Sequence, residues 1–150
     1  MTTAPDGTAY DLHGPKGAPV VALIHGLGLT RATWDGHITA LSARFRVLTY
    51  DLAGHGETAV PEGEITLSTF SEQLVRLMDH LGLPSVAAVG FSLGGMINRR
   101  LAMDHPGRVW ALGILNSHRK FFISFVAPVF WKAMRTKRFV TKVTGRTAWP

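Results

Sequence analysis

Val86-Ala87-Ala88-Val89-Gly90-Phe91-Ser92-Leu93-Gly94-Gly95 is the most informative stretch of this 150-residue chain. Residues 86–91 are apolar without alternation, which suits a strand buried on both faces. From 94 to 104 the pattern is helical and stops before Pro106. Ser92, with glycines two residues to either side, therefore sits where a strand turns directly into a helix. Such a turn needs small neighbours because the two backbones nearly touch. It lifts the hydroxyl out at the end of the sheet and aims the helix N-terminus at the same point. Plain packing would also select small residues there, so the surroundings have to decide.

Outward from this stretch the same kind of run recurs at VVALI (20–24), FRVLTY (45–50) and VWALGIL (109–115). TAYDLHG (8–14) adds an N-terminal edge strand. Residues 34–43 and 67–83 read as helices. In the second, Phe70, Leu74, Leu77, Met78 and Leu81 fall on one helical face, with Gly82 and Pro84 as the stop. Strand and helix in alternation predict an α/β fold, a mostly parallel sheet with helices on both faces. No internal repeat or low-complexity segment is present.

Two more glycine-bearing turns follow strands at the edge where Ser92 lies. His25-Gly26-Leu27-Gly28 comes after 20–24, and Asp51-Leu52-Ala53-Gly54-His55-Gly56-Glu57-Thr58 after 45–50. Ligands of parallel sheets bind at the carboxyl ends of strands. A glycine-rich turn there can direct a backbone N–H at a developing oxyanion, with the amide of Leu93 as its partner. A dinucleotide-binding half would need a third glycine where Arg31 stands, and would leave residues 90–95 unexplained.

An HG turn, a D-x-x-G-H-G turn and G-x-S-x-G-G, in that order and spacing, resemble the α/β-hydrolase fold family over residues 8–117. The resemblance implies that Ser92 is the nucleophile and that the backbone N–H groups of Leu27 and Leu93 form the oxyanion hole. It implies that His25 and His55 shape loops around the site, and that His105-Pro106 ends the helix after the nucleophile. The reaction it implies is hydrolysis of a small ester, lactone or thioester-type carbonyl compound. Leu27, Leu29, Trp34, Phe91 and Leu93 around the site suit an apolar small-molecule substrate. No cofactor and no metal are expected: the histidines are scattered without ligand spacing.

The chain departs from the family after Ser92. The family's order is serine, then acid, then histidine. Downstream, Asp104 and His105 lie roughly 18 Å along a helix from Ser92, toward the wrong end of the sheet. His118 follows the strand 109–115 but has no acid to orient it. A serine hydroxyl without a base is a weak nucleophile. The expectation is an N-terminal or truncated portion of a hydrolase, in an apparently incomplete fold. The alternative is a catalytically incompetent fragment, or a non-enzymatic binding protein of the same fold.

Composition sets the outer bounds. At 46% hydrophobic, 17% charged and no cysteine, the chain is neither disordered nor a disulfide scaffold. The net charge of +6 divides unevenly: residues 1–117 carry −2 and residues 118–150 carry +8. That makes 1–117 the hydrolase-like core and 118–150 a basic, aromatic tail that could open a cap region. Nucleic-acid or membrane contact through 118–150 is disfavoured, because no binding motif accompanies the charge. The start lacks a signal-peptide pattern, and the apolar stretch 121–131 is short of the ~20 residues a span needs. A cytoplasmic location is therefore expected. A sheet of four or five strands would expose an edge, which predicts self-association through it.

Overall fold

A computed structural model of the chain describes residues 2–115. Six strands form one sheet: β1 (Thr2–Thr3), β2 (Ala9–His13), β3 (Val20–Ile24), β4 (Arg46–Tyr50), β5 (Val86–Phe91) and β6 (Val109–Leu115), in the order β1-β2-β4-β3-β5-β6. β4, β3, β5 and β6 are parallel, while β1 and β2 join antiparallel. The expected N-terminal strand is thus β2, but two residues of β1 pair outside it, so β2 is not the edge. The tail 118–150, and His118 with it, lies outside the described residues.

Helices α1 (Asp35–Ser42), α2 (Leu67–His80) and α3 (Leu93–Asp104) alternate with the parallel strands. A 3-10 turn at Arg31–Trp34 leads into α1, so the helix begins one residue later than its sequence pattern suggests. Thr66 and Thr69 cap α2 reciprocally, each side chain bonded to the other's backbone N–H. The expected 67–83 overshoots, because residues 81–83 form the helix's terminating loop. Gly82 takes φ +64°, and the N–H of Leu83 reaches back to the carbonyl of Met78 at 2.8 Å.

Strand residues divide between two cores with period two. Val20, Ala22 and Ile24 face the layer built on Leu74, Leu77, Met78, Ile97 and Leu101, which come from α2 and α3. Val21 and Leu23 face the other layer with Trp34, Val47, Ala87 and Ala111, flanked by Leu41 and Phe45. This double burial explains why the strands read as near-continuous apolar runs. Trp34, expected beside the substrate, is instead 5% exposed and fills that second layer. Its neighbours in the 20–24 and 46–50 strands give its large ring a dry place under α1.

The tightest packing joins β3 to the start of α3. A Cβ on Gly94 would stand 2.3 Å from the carbonyl oxygen of Ile24 and 2.8 Å from that of His25. A Cβ on Gly90 would stand 2.2 Å from the backbone of Gly94. Both obstacles are backbone atoms that cannot swing aside. Gly94→Ala should therefore cost more than about 3 kcal/mol in urea unfolding. Gly36→Ala, with nothing within 4 Å of the new methyl, should raise stability by up to about 1 kcal/mol in α1. Comparable effects at the two positions would disprove the close-approach account.

Candidate active site

The chain leaves β3 through α1 to β4 on one side, then crosses back through α2 to β5 on the other. β3 and β5 are adjacent and their connections run in opposite directions, so a crevice opens between their carboxyl ends. His25-Gly26-Leu27-Gly28 lies on one side of it and Ser92 on the other. Topology alone brings together two of the turns singled out above.

Ser92 has φ +52° and ψ −111°, and it is the only described non-glycine residue with positive φ. That conformation costs of order 1–3 kcal/mol for a residue with a Cβ. The surroundings hold it there. The Ser92 N–H donates to the carbonyl of Leu115 at 2.9 Å, extending the β5–β6 ladder into the turn. The Ser92 carbonyl accepts from Gly95 at 3.0 Å. Among the described residues the hydroxyl has no hydrogen-bond partner. Leu93 is the first residue of α3, and the amides of a helix's first turn have no intrahelical acceptor.

The facing turn is closed by the N–H of Leu29 donating to the carbonyl of Gly26 at 3.2 Å, with Gly28 at φ +71°. Positive φ at the third position is what a type II turn requires. Leu27 stands at the crest, 74% exposed. His25, fully buried below it, donates from Nδ1 to the carbonyl of Gly26 at 2.8 Å and accepts at Nε2 from the N–H of Leu52 at 3.0 Å. Both ring nitrogens are committed, so the imidazole is a neutral strut between two turns. Burial lowers its pKa and the neighbouring His55 adds to this, against the opposing pull of the Gly26 hydrogen bond and of Asp51.

The turn at 51–58 is itself pinned from several elements. Gln73 of α2 accepts from the N–H of Ala53 at 2.9 Å and donates to the carbonyl of Asp51 and the hydroxyl of Thr8, both at 3.1 Å. The Thr58 hydroxyl donates to the Asp51 carbonyl and accepts from the N–H of Ala9. His55 donates from Nδ1 to the carbonyl of Ala53 at 3.0 Å and packs its ring near His25 and Phe70. Asp51 is buried, and a Cβ on Gly56 would fall 2.3 Å from its carboxylate oxygen.

The structure thus places Ser92 and the turn carrying Leu27 across one crevice, with His25 and His55 as supports beneath. Asp104 and His105 point elsewhere: Asp104 pairs with Arg100 and His105 with Glu72 of α2 at 2.6 Å. Gln73 and Arg31 had no assigned part in the sequence. Gln73 had left a trace, a polar residue set among Phe70, Leu74 and Leu77 on the apolar face of its helix. Arg31 had none. Among the described residues, no group of three or more histidine, cysteine, aspartate or glutamate side chains is placed to hold a metal ion, and no helix is long and apolar enough to cross a membrane.

The model of the α/β-hydrolase fold matches residues 19–139. The chain belongs to that family. A Caulobacter segnis protein named "Putative carbamate hydrolase RutD" is 38% identical over 121 residues, covering 77% of this chain and 45% of the relative. The magnesium-chelatase 30 kDa subunit of Rhodobacter capsulatus is 33% identical over 135 residues, covering 89% and 48%. The enol-lactonase from Burkholderia xenovorans superposes with a TM-score of 0.71 at 32% identity, covering 73% of this chain and 43% of that structure. The chain spans less than half the length of each of these relatives.

Two measurements test the site's local physics. Ser92→Gly should be more stable than Ser92→Ala by about 1 kcal/mol, since only glycine relaxes at this φ and ψ. Equal stabilities would show that the turn is unstrained. The second concerns His25, whose ordinary value is 6.5. Below about pH 6.5 the unfolded chain protonates this ring while the folded one resists, so the unfolded state binds more protons. The stability supplied by the neutral ring is complete above that pH and is lost as pH falls through the lower folded value. Urea unfolding at about pH 7.5 and about pH 5.5 should show a smaller loss for His25→Asn than for the wild type. An unchanged loss would place the effect elsewhere.

Proposed function

We propose that this chain carries the nucleophile half of a serine hydrolase acting on a small ester, lactone or thioester-type carbonyl compound. One observation bears most of the weight: Ser92 is held in a strained turn at the switch-point crevice, opposite the Leu27 turn, its hydroxyl without a hydrogen-bond partner among the described residues. Ser92 Oγ attacks the carbonyl carbon, and the oxygen that gains the charge is met by the backbone N–H groups of Leu27 and Leu93. Donors placed in advance for that charge need no reorganisation as the barrier is crossed. The dipole of α3 adds a positive end at the same place. Exposed Leu27 and Leu29 offer an apolar rim to the acyl or alcohol portion of the substrate.

The serine proton needs a base. His25 uses both ring nitrogens in the scaffold, and His105 is bound to Glu72. His118, three residues beyond β6, and residues outside this chain are the sources this reading looks to. Relatives named for carbamate and enol-lactone hydrolysis support the reading of an acyl-type carbonyl substrate.

Asp104 and His105, the acid and histidine that follow Ser92 among the described residues, pair with Arg100 and Glu72, which favours a second reading, a catalytically incompetent fragment or a non-enzymatic binding protein of the same fold. A fluorophosphonate probe separates the two, because only an activated serine reacts with it. The full chain should become labelled at Ser92, and Ser92→Ala should abolish the label. Folded protein that stays unlabelled would remove the reading of a chain competent by itself and leave the incompetent fragment or the binding protein.

A further inference from the structure

Arg31 is the first residue after the 25–30 turn, and its interactions form one unit. Its guanidinium reaches three carboxylates from three places in the fold. Nε donates to Asp11 of β2 at 2.7 Å, Nη1 to Asp51 at the end of β4, and Nη2 to Glu57 in the following turn. Its backbone N–H also donates to Asp51 Oδ1 at 2.7 Å. The Arg31 side chain is 16% exposed and that of Asp51 0%. The N–H of Glu57 donates to the other Asp51 oxygen at 3.0 Å. Burial works against the charge on Arg31, but the hydrogen bonds to Asp11 and Glu57 and the charge of Asp51 overcome it and raise its pKa.

These bonds place the Leu27 turn between two anchors on adjacent residues. At its start, His25 is bonded to the backbone of Leu52. At its end, Arg31 is bonded to the carboxylate of Asp51 through both backbone and side chain. The turn between them bears exposed Leu27 and is closed by a backbone bond from Leu29 to Gly26, whose carbonyl also accepts from His25. With both ends held, its peptide planes have little freedom.

We propose that Arg31 is a positioning residue, which fixes the orientation of the Leu27 amide by clamping the end of its turn to buried Asp51. The proposal rests on the oxyanion role given to Leu27 above. The geometry requires arginine in particular: three acceptors in different directions match the three nitrogens of one rigid planar group, whereas an ammonium is a point charge on a flexible stem. Asp51 serves as the fixed post. Its carboxylate is closed in by Gly56 and its carbonyl is held by Gln73 and Thr58. Removing Arg31 leaves a buried carboxylate without its countercharge, beside Asp11 and Glu57, and that strain falls on the end of the turn.

Amide hydrogen exchange on the full 150-residue chain tests this directly. In Arg31→Met, protection at Leu29 and Leu52 should fall about tenfold or more, while Ala87, Ala88 and Val89 of β5 stay as in the wild type. Arg31→Lys should restore part of the loss, and Asp11→Asn, which severs only the outer arm, should change Leu29 and Leu52 by less than about threefold. Fluorophosphonate labelling of Ser92 should slow in the order wild type, Arg31→Lys, Arg31→Met. Unchanged protection at Leu29 and Leu52 in Arg31→Met overturns the proposal. So does equal loss in β5 for both Arg31 variants, which would make Arg31 a general stabiliser. Full labelling speed despite lost protection overturns it as well. If the wild type itself takes no label, this chain is not a competent hydrolase by itself, and the exchange data still decide the clamp.

Discussion

No side chain fits between the carbonyl end of β3 and the first turn of α3, and the rest of the site depends on that contact. Glycine at 90 and 94 lets two backbones approach within van der Waals distance. Because α3 starts there, the chain must pass from strand to helix in a single residue, Ser92, at a backbone conformation that resists a side chain. The strain is held by bonds on both sides: the Leu115 carbonyl accepts from the Ser92 N–H, and the Gly95 N–H donates to the Ser92 carbonyl. Sheet pairing, helix packing and the placement of the half-buried serine are therefore one arrangement. A looser junction would move the serine away from the facing turn.

The second support is polar and buried. Asp51, His25 and Gln73 are almost wholly removed from water, which would be costly for each alone. Each is satisfied: His25 by Gly26 and Leu52, Gln73 by Ala53, Thr8 and the Asp51 carbonyl, and Asp51 by Arg31 and the Glu57 N–H. His25 joins the first turn to the second, Gln73 joins the second to α2, and Arg31 closes the ring through Asp51. Networks of this kind tolerate little, since removal of any member leaves a desolvated donor or acceptor behind. The site thus has a rigid backbone junction on the β5 side and a hydrogen-bonded mount on the β3 side.

Much of this was legible in the linear chain. The near-continuous apolar runs located β3, β4, β5 and β6 almost to the residue, because strands with helices on both faces carry few polar positions to blur them. The period of Phe70, Leu74, Leu77 and Met78 located α2. The three glycine turns pointed to one edge, since parallel strands all end on the same side. Less legible were features that depend on distant partners. Trp34 near a glycine turn reads as site lining, yet α1 folds it into the second core layer. Arg31 carries no local signal at all: its partners are 20 residues before it and 20 and 26 after it.

What the amino-acid sequence by itself determined is the fold class, its family and the place of Ser92. The fold class follows from periodicity and apolar runs, the family from the resemblance of the three glycine-bearing turns, and the place of Ser92 from small residues at a strand-to-helix junction. Only the tertiary structure decided how the site is held. It gave Gln73, Arg31 and Asp51 their parts and showed His25 to be a strut with no free nitrogen. The physical reason is that a buried polar group is defined by its partner, and the partners here lie on strands and helices that meet only after the sheet has formed.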